Sequence, residues 1–325
     1  MMTKNQSTQA PLPTVWQSIS AGFDTVTRNY WLLLLPVALD FFLWLGPRLS
    51  FTSLLKAQIA QMAADPVFSQ YMGPITADAI APTNLWGMLS VPLLGVPTLM
   101  SAVVPEATPL RAVTVEVQSI WAVMGLFVLF TILGLLLAAF YWNTLAQAVK
   151  SRSPWFVLLG RAAAKTPVLW LQLLVLIILF LMLAFIIYLV TLPILVILGL
   201  FSPALVVVGA AVQVMLLIWV VLYWFFAPHG LTLNGRSLLR SIVESLYLVQ
   251  TFMLPTLSLF LVIVLVRQLM DSLMLLADDG SWLTAVSLIA HAFVSTALLL
   301  ATFIFYRDRH TFIFQKPAEP PTKHI

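Results

Sequence analysis

The sequence predicts an all-α integral membrane protein: six transmembrane helices in three units, each an interfacial amphipathic helix followed by a transmembrane hairpin. Three observations lead there. Hydrophobic residues fill 61% of the 325 positions and charged residues only 9%, against about 25% charged in soluble domains. Apolar runs close to a bilayer's thickness recur along the chain. Lys and Arg gather on alternate connections between those runs.

Taken in order, residues 1–11 are polar. Lys4 is followed by more polar residues and no apolar core precedes Tyr30, so a signal peptide is not expected and the first apolar run is a retained helix. From Pro13, the residues Val15, Trp16, Ile19, Phe23, Val26 and Tyr30 recur at helical spacing, which predicts a first amphipathic helix. Trp31–Gly46 follows as a short span, with Tyr30, Trp31 and Trp44 at the depth of an aromatic belt.

Residues 47–116 differ in character: charge is mixed and prolines recur, with weak helical character over 51–64. The run 85–104 is apolar, but Pro92, Gly95, Pro97 and Pro105 oppose a regular helix. It reads as an interfacial or re-entrant segment within an extracytoplasmic insertion.

Ile120–Ala146 is the second span. Ser153 before Pro154 reads as an N-cap with proline in the first turn, opening an interfacial segment Trp155–Lys165. Val168–Val190 is the third span, broken by Pro193, and Ser202–Phe226 the fourth. Pro228, His229 and Gly230 read as a turn. Asn234 then caps a helix over 236–250 with Leu238, Leu239, Ile242, Val243, Leu246 and Val249 on one face and Ser237, Arg240, Ser241, Glu244 and Ser245 on the other. Such a helix is expected in the interface plane. Arg240 and Glu244, four apart, can pair. Phe252–Leu276 is the fifth span and Trp282–Phe305 the sixth, followed by a polar tail over 306–325.

Orientation follows from the bases. Segments 1–30, 143–166, 227–250 and 306–325 carry 2, 4, 2 and 4 Lys or Arg, twelve of the sixteen. The opposite side carries three and Arg267 lies within a span. Both termini are therefore expected in the cytoplasm, with the protein in the cell membrane. A further span at 85–104 would turn the four-base loop at 150–165 outward. The three units begin near residues 13, 154 and 235, the longer first interval holding the 47–116 insertion.

The run Tyr223–Gln250, YWFFAPHGLTLNGRSLLRSIVESLYLVQ, ends a span in an apolar-Pro step at Ala227 and Pro228 and enters a helix bearing Arg236, Arg240 and Ser241. In this it resembles a bacterial six-span membrane protein family, related to the membrane domain fused to some glycerophosphodiester phosphodiesterases, with stand-alone members of uncharacterised function. The likeness covers roughly 150–310. It implies the six-span architecture and assigns no catalytic residue. The chain has no room for the phosphodiesterase barrel, and the 47–116 insertion departs from the pattern.

Four ionisable residues fall inside predicted spans: Asp40, Arg267, Asp271 and His291. A charge at mid-bilayer costs about 2.5–3.5 kcal/mol on insertion scales, so such residues pair or face a cavity. Arg267 and Asp271 are four apart and can pair. An Asp40–Arg267 contact between the first and fifth spans is also open. Ser287, His291 and Ser295 share one face of the sixth span, expected to point into the bundle. Two readings follow: a polar pocket in the outer half of the bundle for a lipid headgroup or small solute, or a local Arg267–Asp271 pair with Asp40 and His291 as hydrogen-bonded packing residues. The second is the expectation.

Enzyme signatures are missing: no GxSxG, HExxH, phosphate loop or GxGxxG, and no cysteine. No cofactor or metal is expected. His310 and His324 read as solvated tail residues, and Asp278, Asp279 and Gly280 as a solvated turn. The pI near 9.5 reflects topology rather than nucleic-acid binding. The expected role is a non-enzymatic scaffold or accessory subunit, whose partners are the lipid bilayer and another membrane protein. The alternative is a lipid or small-solute transporter, favoured if the four intramembrane groups converge. A bilayer-sensing regulator is the third reading.

Overall fold

The computed structural model describes residues 12–64, 81–105, 107–110, 112–274 and 280–314. Ten α-helices carry the described fold: α1 (Val15–Arg28), α2 (Leu34–Leu45), α3 (Thr52–Ala63), α4 (Ile120–Lys150), α5 (Trp155–Phe201), α6 (Pro203–Trp224), α7 (Ala227–Asn234), α8 (Leu238–Thr251), α9 (Met253–Met274) and α10 (Leu283–Phe314). Five stretches are long and apolar enough to cross a membrane. A sixth is counted if α1 and the run Tyr30–Leu45, which meet at 92°, form one span. The chain is thus an all-α, multi-pass membrane protein.

The helix α10 is the axis of the bundle. Its most apolar stretch is 67% buried, against 6% for the span formed by α6 and α7. The helix α1 closes on it through Gly22, where a Cβ would sit 2.9 Å from the Ala301 amide nitrogen and press on the Ala297 carbonyl. Only glycine allows the two backbones to come this close. A capping box between Thr14 and Gln17 starts α1.

The segment after α2 has a feature that alternation of spans does not reveal. Strands β1 (Arg48–Ser50) and β2 (Thr114–Glu116) pair in parallel, Arg48 opposite Thr114 and Ser50 opposite Glu116. They tie the two ends of the insertion together. The Ser50 hydroxyl, with Ser53 behind it, holds the exposed Glu116 carboxyl below the usual carboxylate range. Between the strands, 85–104 forms only a short 3-10 turn, Leu85–Leu89, then irregular backbone. That backbone packs inward: Val91, Val96, Leu99 and Met100 are buried in the main core. It rests on α4 at Gly134, where a Cβ would lie 2.7 Å from both the Met88 and Leu89 carbonyl oxygens. Trp86 stacks on Phe130 at 4.3 Å, and the Trp142 indole donates to the Leu94 carbonyl at 2.9 Å.

Several sequence expectations are corrected. Trp155–Lys165 and the third span form one 47-residue helix, and Pro167 and Pro193 lie inside it. Pro154, not Ser153, takes the cap position. Pro228, His229 and Gly230 belong to α7 rather than to a turn. Asn234 ends α7, Gly235 follows at φ +58°, and Ser237 takes the N-cap position of α8. The left-handed conformation at Gly235 is the ordinary helix stop that glycine permits. Residues 306–314 continue α10 instead of starting a tail. Asp278 and Asp279 lie outside the described residues.

The sides of α8 divide between protein and surroundings. Ser241, Glu244, Ser245, Leu248 and Val249 are its buried residues, while Leu239, Val243 and Tyr247 are exposed. The polar residues Ser241, Glu244 and Ser245 turn toward protein together with Leu248 and Val249, while Arg240 stays exposed.

Candidate functional site

Asp40 lies in the buried stripe of α2, with Pro36, Leu39, Leu43 and Trp44. One carboxylate oxygen, Oδ1, accepts the backbone N–H of Met100 at 2.9 Å. Asp40 therefore pins the irregular 90–105 segment to α2. The other oxygen, Oδ2, faces Nδ1 of His291 at 3.9 Å, too far for a hydrogen bond.

His291 is brought there by α10, whose inward stripe includes Thr284, Leu288 and His291. Its Nε2 lies 3.3 Å from Asp271 Oδ1 and 3.2 Å from the Ser295 hydroxyl. Asp271 Oδ2 is in turn 3.7 Å from Arg267 Nε on α9. The four residues form one chain in the order Arg267, Asp271, His291, Asp40. Side-chain exposure falls along it: 55%, 27%, 2% and 0%. One end is open to the surroundings and the other is sealed in the core.

The links are loose. Asp40 Oδ2, His291 Nδ1 and Asp271 Oδ1 are buried atoms without a hydrogen-bond partner. A buried polar atom left unpaired costs about 1–3 kcal/mol. Three in a row mark an unsatisfied polar seam inside an otherwise apolar core. Arg267 pairs with Asp271 as its spacing suggested. An Asp40–Arg267 pair does not form among the described residues; Asp40 meets His291 and the Met100 amide instead. No group of three or more His, Cys, Asp or Glu among the described residues is arranged to hold a metal ion.

Met100 carries no signal in the sequence, because its contribution is a backbone N–H. Proline-rich backbone inside an apolar run was the hint available: it leaves amides unpaired, and a buried carboxylate is a strong acceptor for one.

The same segment walls an apolar cavity of ≈ 300 Å³ on its other side. Leu93 and Leu94, Phe180 of α5, Trp224 of α6 and His229 of α7 are among its lining. His229 is buried, with Nε2 2.7 Å from the Thr302 hydroxyl and Nδ1 unpaired. Trp142 packs edge-on against it at 5.0 Å.

A further polar cluster joins α8 to α10. Glu244 lies 2.8 Å from Arg240, 3.5 Å from Arg236 and 3.1 Å from His310 Nε2. The Arg240 pair agrees with its spacing. His310 corrects the expectation of a solvated tail residue: it is buried, because the extra helical turns of α10 carry it beneath α8. The signal was present in the spacing of Arg236, Arg240 and Glu244, one stripe with a single acid. His324 lies outside the described residues.

Comparison with protein-family models, curated proteins and solved structures finds no match to this chain. Nothing in these comparisons bears on the likeness to phosphodiesterase-linked membrane domains.

Proposed function

We propose that this chain is a non-enzymatic membrane carrier for a lipid or small apolar solute, controlled by protonation of Asp40 beside His291. One observation carries the reading: ionisable groups follow one another at 3.3–3.9 Å from exposed Arg267 to sealed Asp40, and Asp40 holds the segment that walls the apolar cavity. Intramembrane Asp and His chains of this kind are the usual material of proton relays. Protonated Asp40 is a weaker acceptor for the Met100 N–H. Its protonation loosens the 90–105 segment and opens the cavity; its deprotonation closes it. The arrangement sits in the cell membrane with both termini cytoplasmic, on the strength of the distribution of bases.

The test uses the full chain in liposomes holding a fluorescent phosphatidylglycerol, with transbilayer movement read by chemical quenching at pH 5.5 and 7.5. The carrier moves the probe faster at pH 5.5 than at pH 7.5, and Asp40→Asn removes that dependence. Wild-type liposomes indistinguishable from empty ones at both pH values would remove the reading.

A second reading, the scaffold or accessory subunit, is favoured by the bare surface of α5 and α6, whose most apolar stretches are 11% and 6% buried. Native mass spectrometry of the gently extracted protein separates the two. A constant mass increment from another polypeptide supports the subunit, and a bound lipid lost in Asp40→Asn supports the carrier.

A further inference from the structure

The ends of α1 and α4 and the body of α10 enclose a second cavity, of ≈ 830 Å³, with walls unlike those of the first. Four bases line it: Arg28 from the last turn of α1, Lys150 from the last turn of α4, Arg152 from the following link, and Arg307 from α10. Asp308 pairs with Arg307 at 2.9 Å. Among the described residues no carboxylate pairs with Arg28, Lys150 or Arg152. Lys165 of α5 adds a second ammonium within coulombic reach of Lys150.

Cations at helix C-termini interact favourably with the helix dipole, which accounts for Arg28 and Lys150. It does not account for Arg152, on an exposed link; Arg307, within α10, is answered by Asp308. Converging cations repel one another, and an anion between them relieves the repulsion. The remaining wall suits an oxyanion. The Ser151 and Ser153 hydroxyls are 2.8 Å apart, so one O–H remains free to donate into the cavity. Tyr30, which follows Asn29 of the lining in sequence, is exposed and is the kind of aromatic that sits at headgroup level.

We propose that this cavity binds a phosphate group, that of an anionic lipid headgroup or of a soluble phosphate ester. The site is separate from the Asp40 chain and does not rest on the carrier reading. Arg28 and Arg152 supply N–H forks for the phosphate oxygens; Lys150, whose ammonium also donates to the Thr232 carbonyl at 3.4 Å, and Arg307, whose guanidinium is held by Asp308 and the Val149 carbonyl, add positive charge.

The test uses the full-length chain in neutral detergent, with thermal unfolding as readout. Dioleoylphosphatidylglycerol in mixed micelles is titrated against dioleoylphosphatidylcholine, and sodium phosphate against sodium chloride at matched ionic strength. Phosphatidylglycerol is expected to raise the melting temperature where phosphatidylcholine does not. Arg28→Gln and Arg152→Gln are each expected to weaken that response about fivefold. Arg161→Gln, which removes one charge from the exposed side of α5 outside the cavity, leaves it unchanged. A response to phosphate alone assigns the site to soluble esters; silence to phosphate with a response to phosphatidylglycerol assigns it to lipid. Arg152 lies on an exposed link, so Arg152→Gln keeps the test intact if Arg28→Gln fails to fold. The proposal is overturned if neither probe exceeds its control, or if Arg161→Gln weakens binding as much as the cavity variants.

Discussion

Replacing Asp40 tests whether a single carboxylate anchors the 90–105 segment. Asp40→Ala removes the acceptor 2.9 Å from the Met100 N–H in a site where Asp40 has no exposed surface. The abandoned amide costs about 1–3 kcal/mol, and the vacated volume adds about 1 kcal/mol more. The total is about 2–4 kcal/mol. Asp40→Asn keeps a carbonyl oxygen for Met100 and gives up only the charge, so it loses about 1 kcal/mol, the difference between a charge-assisted and a neutral hydrogen bond. Thermal unfolding of the detergent-solubilised protein, followed by tryptophan fluorescence, gives the order wild type, Asn variant, Ala variant. Amide exchange at Met100 rises most in the Ala variant and by a smaller amount in the Asn variant, whose neutral oxygen is the weaker acceptor. If the Ala variant melts with the wild type and Met100 exchange does not change, Asp40 does not hold the segment and the gating argument fails.

Gly22→Ala forces a methyl group against the Ala297 carbonyl and the Ala301 amide; a loss of about 1–3 kcal/mol is expected from overpacking, read as a lowered melting temperature. Glu244→Ala leaves the buried His310 ring and two arginines without their acid. The loss is about 2 kcal/mol, below the range for fully buried pairs because Arg240 is 59% exposed, and Glu244→Gln recovers part of it in the same melt. The Glu116 carboxyl is held low by Ser50 and Ser53. Its contribution is therefore present above the ordinary carboxylate pKa and lost as pH falls through the lowered one; exchange of the Val117 amide, bonded to the Ser50 carbonyl, should quicken over that acid range and not near neutral pH.

The sequence made the class of the protein legible, because composition alone forces a largely helical chain into lipid. It also marked the four residues of the polar chain, since an ionisable group inside an apolar run stands out. The order of their contacts was not legible. His291 could have met either acid, and only the position of α10 between α2 and α9 decides that it meets both. Proline misled twice. At Pro193 and Pro228 the missing N–H suggested a break, yet Pro228 fills the first turn of α7, where no donor is needed, and Pro193 is carried inside α5. The amphipathic pattern of α8 gave its period, but its buried side draws on both stripes, Glu244 and Ser245 as well as Leu248 and Val249. Periodicity does not say whether water or hydrocarbon lies outside. Glu244 turned inward because its partner His310 belongs to helical turns that a span-length count had cut off.

The uninterrupted α5 has a consequence for the membrane around it. From Val168 to Phe201 it carries 34 residues without a charge, roughly 51 Å of apolar helix. The α6–α7 stretch that returns beside it runs from Pro203 to Asn234, roughly 48 Å. A hydrocarbon core of about 30 Å accepts a 51 Å helix only at a tilt near 54°, beyond the usual range. The hairpin therefore leans steeply, or the lipids stretch to meet it. In both cases it imposes hydrophobic mismatch on its surroundings, which biases the protein toward thicker bilayers and draws together chains that share the same excess length.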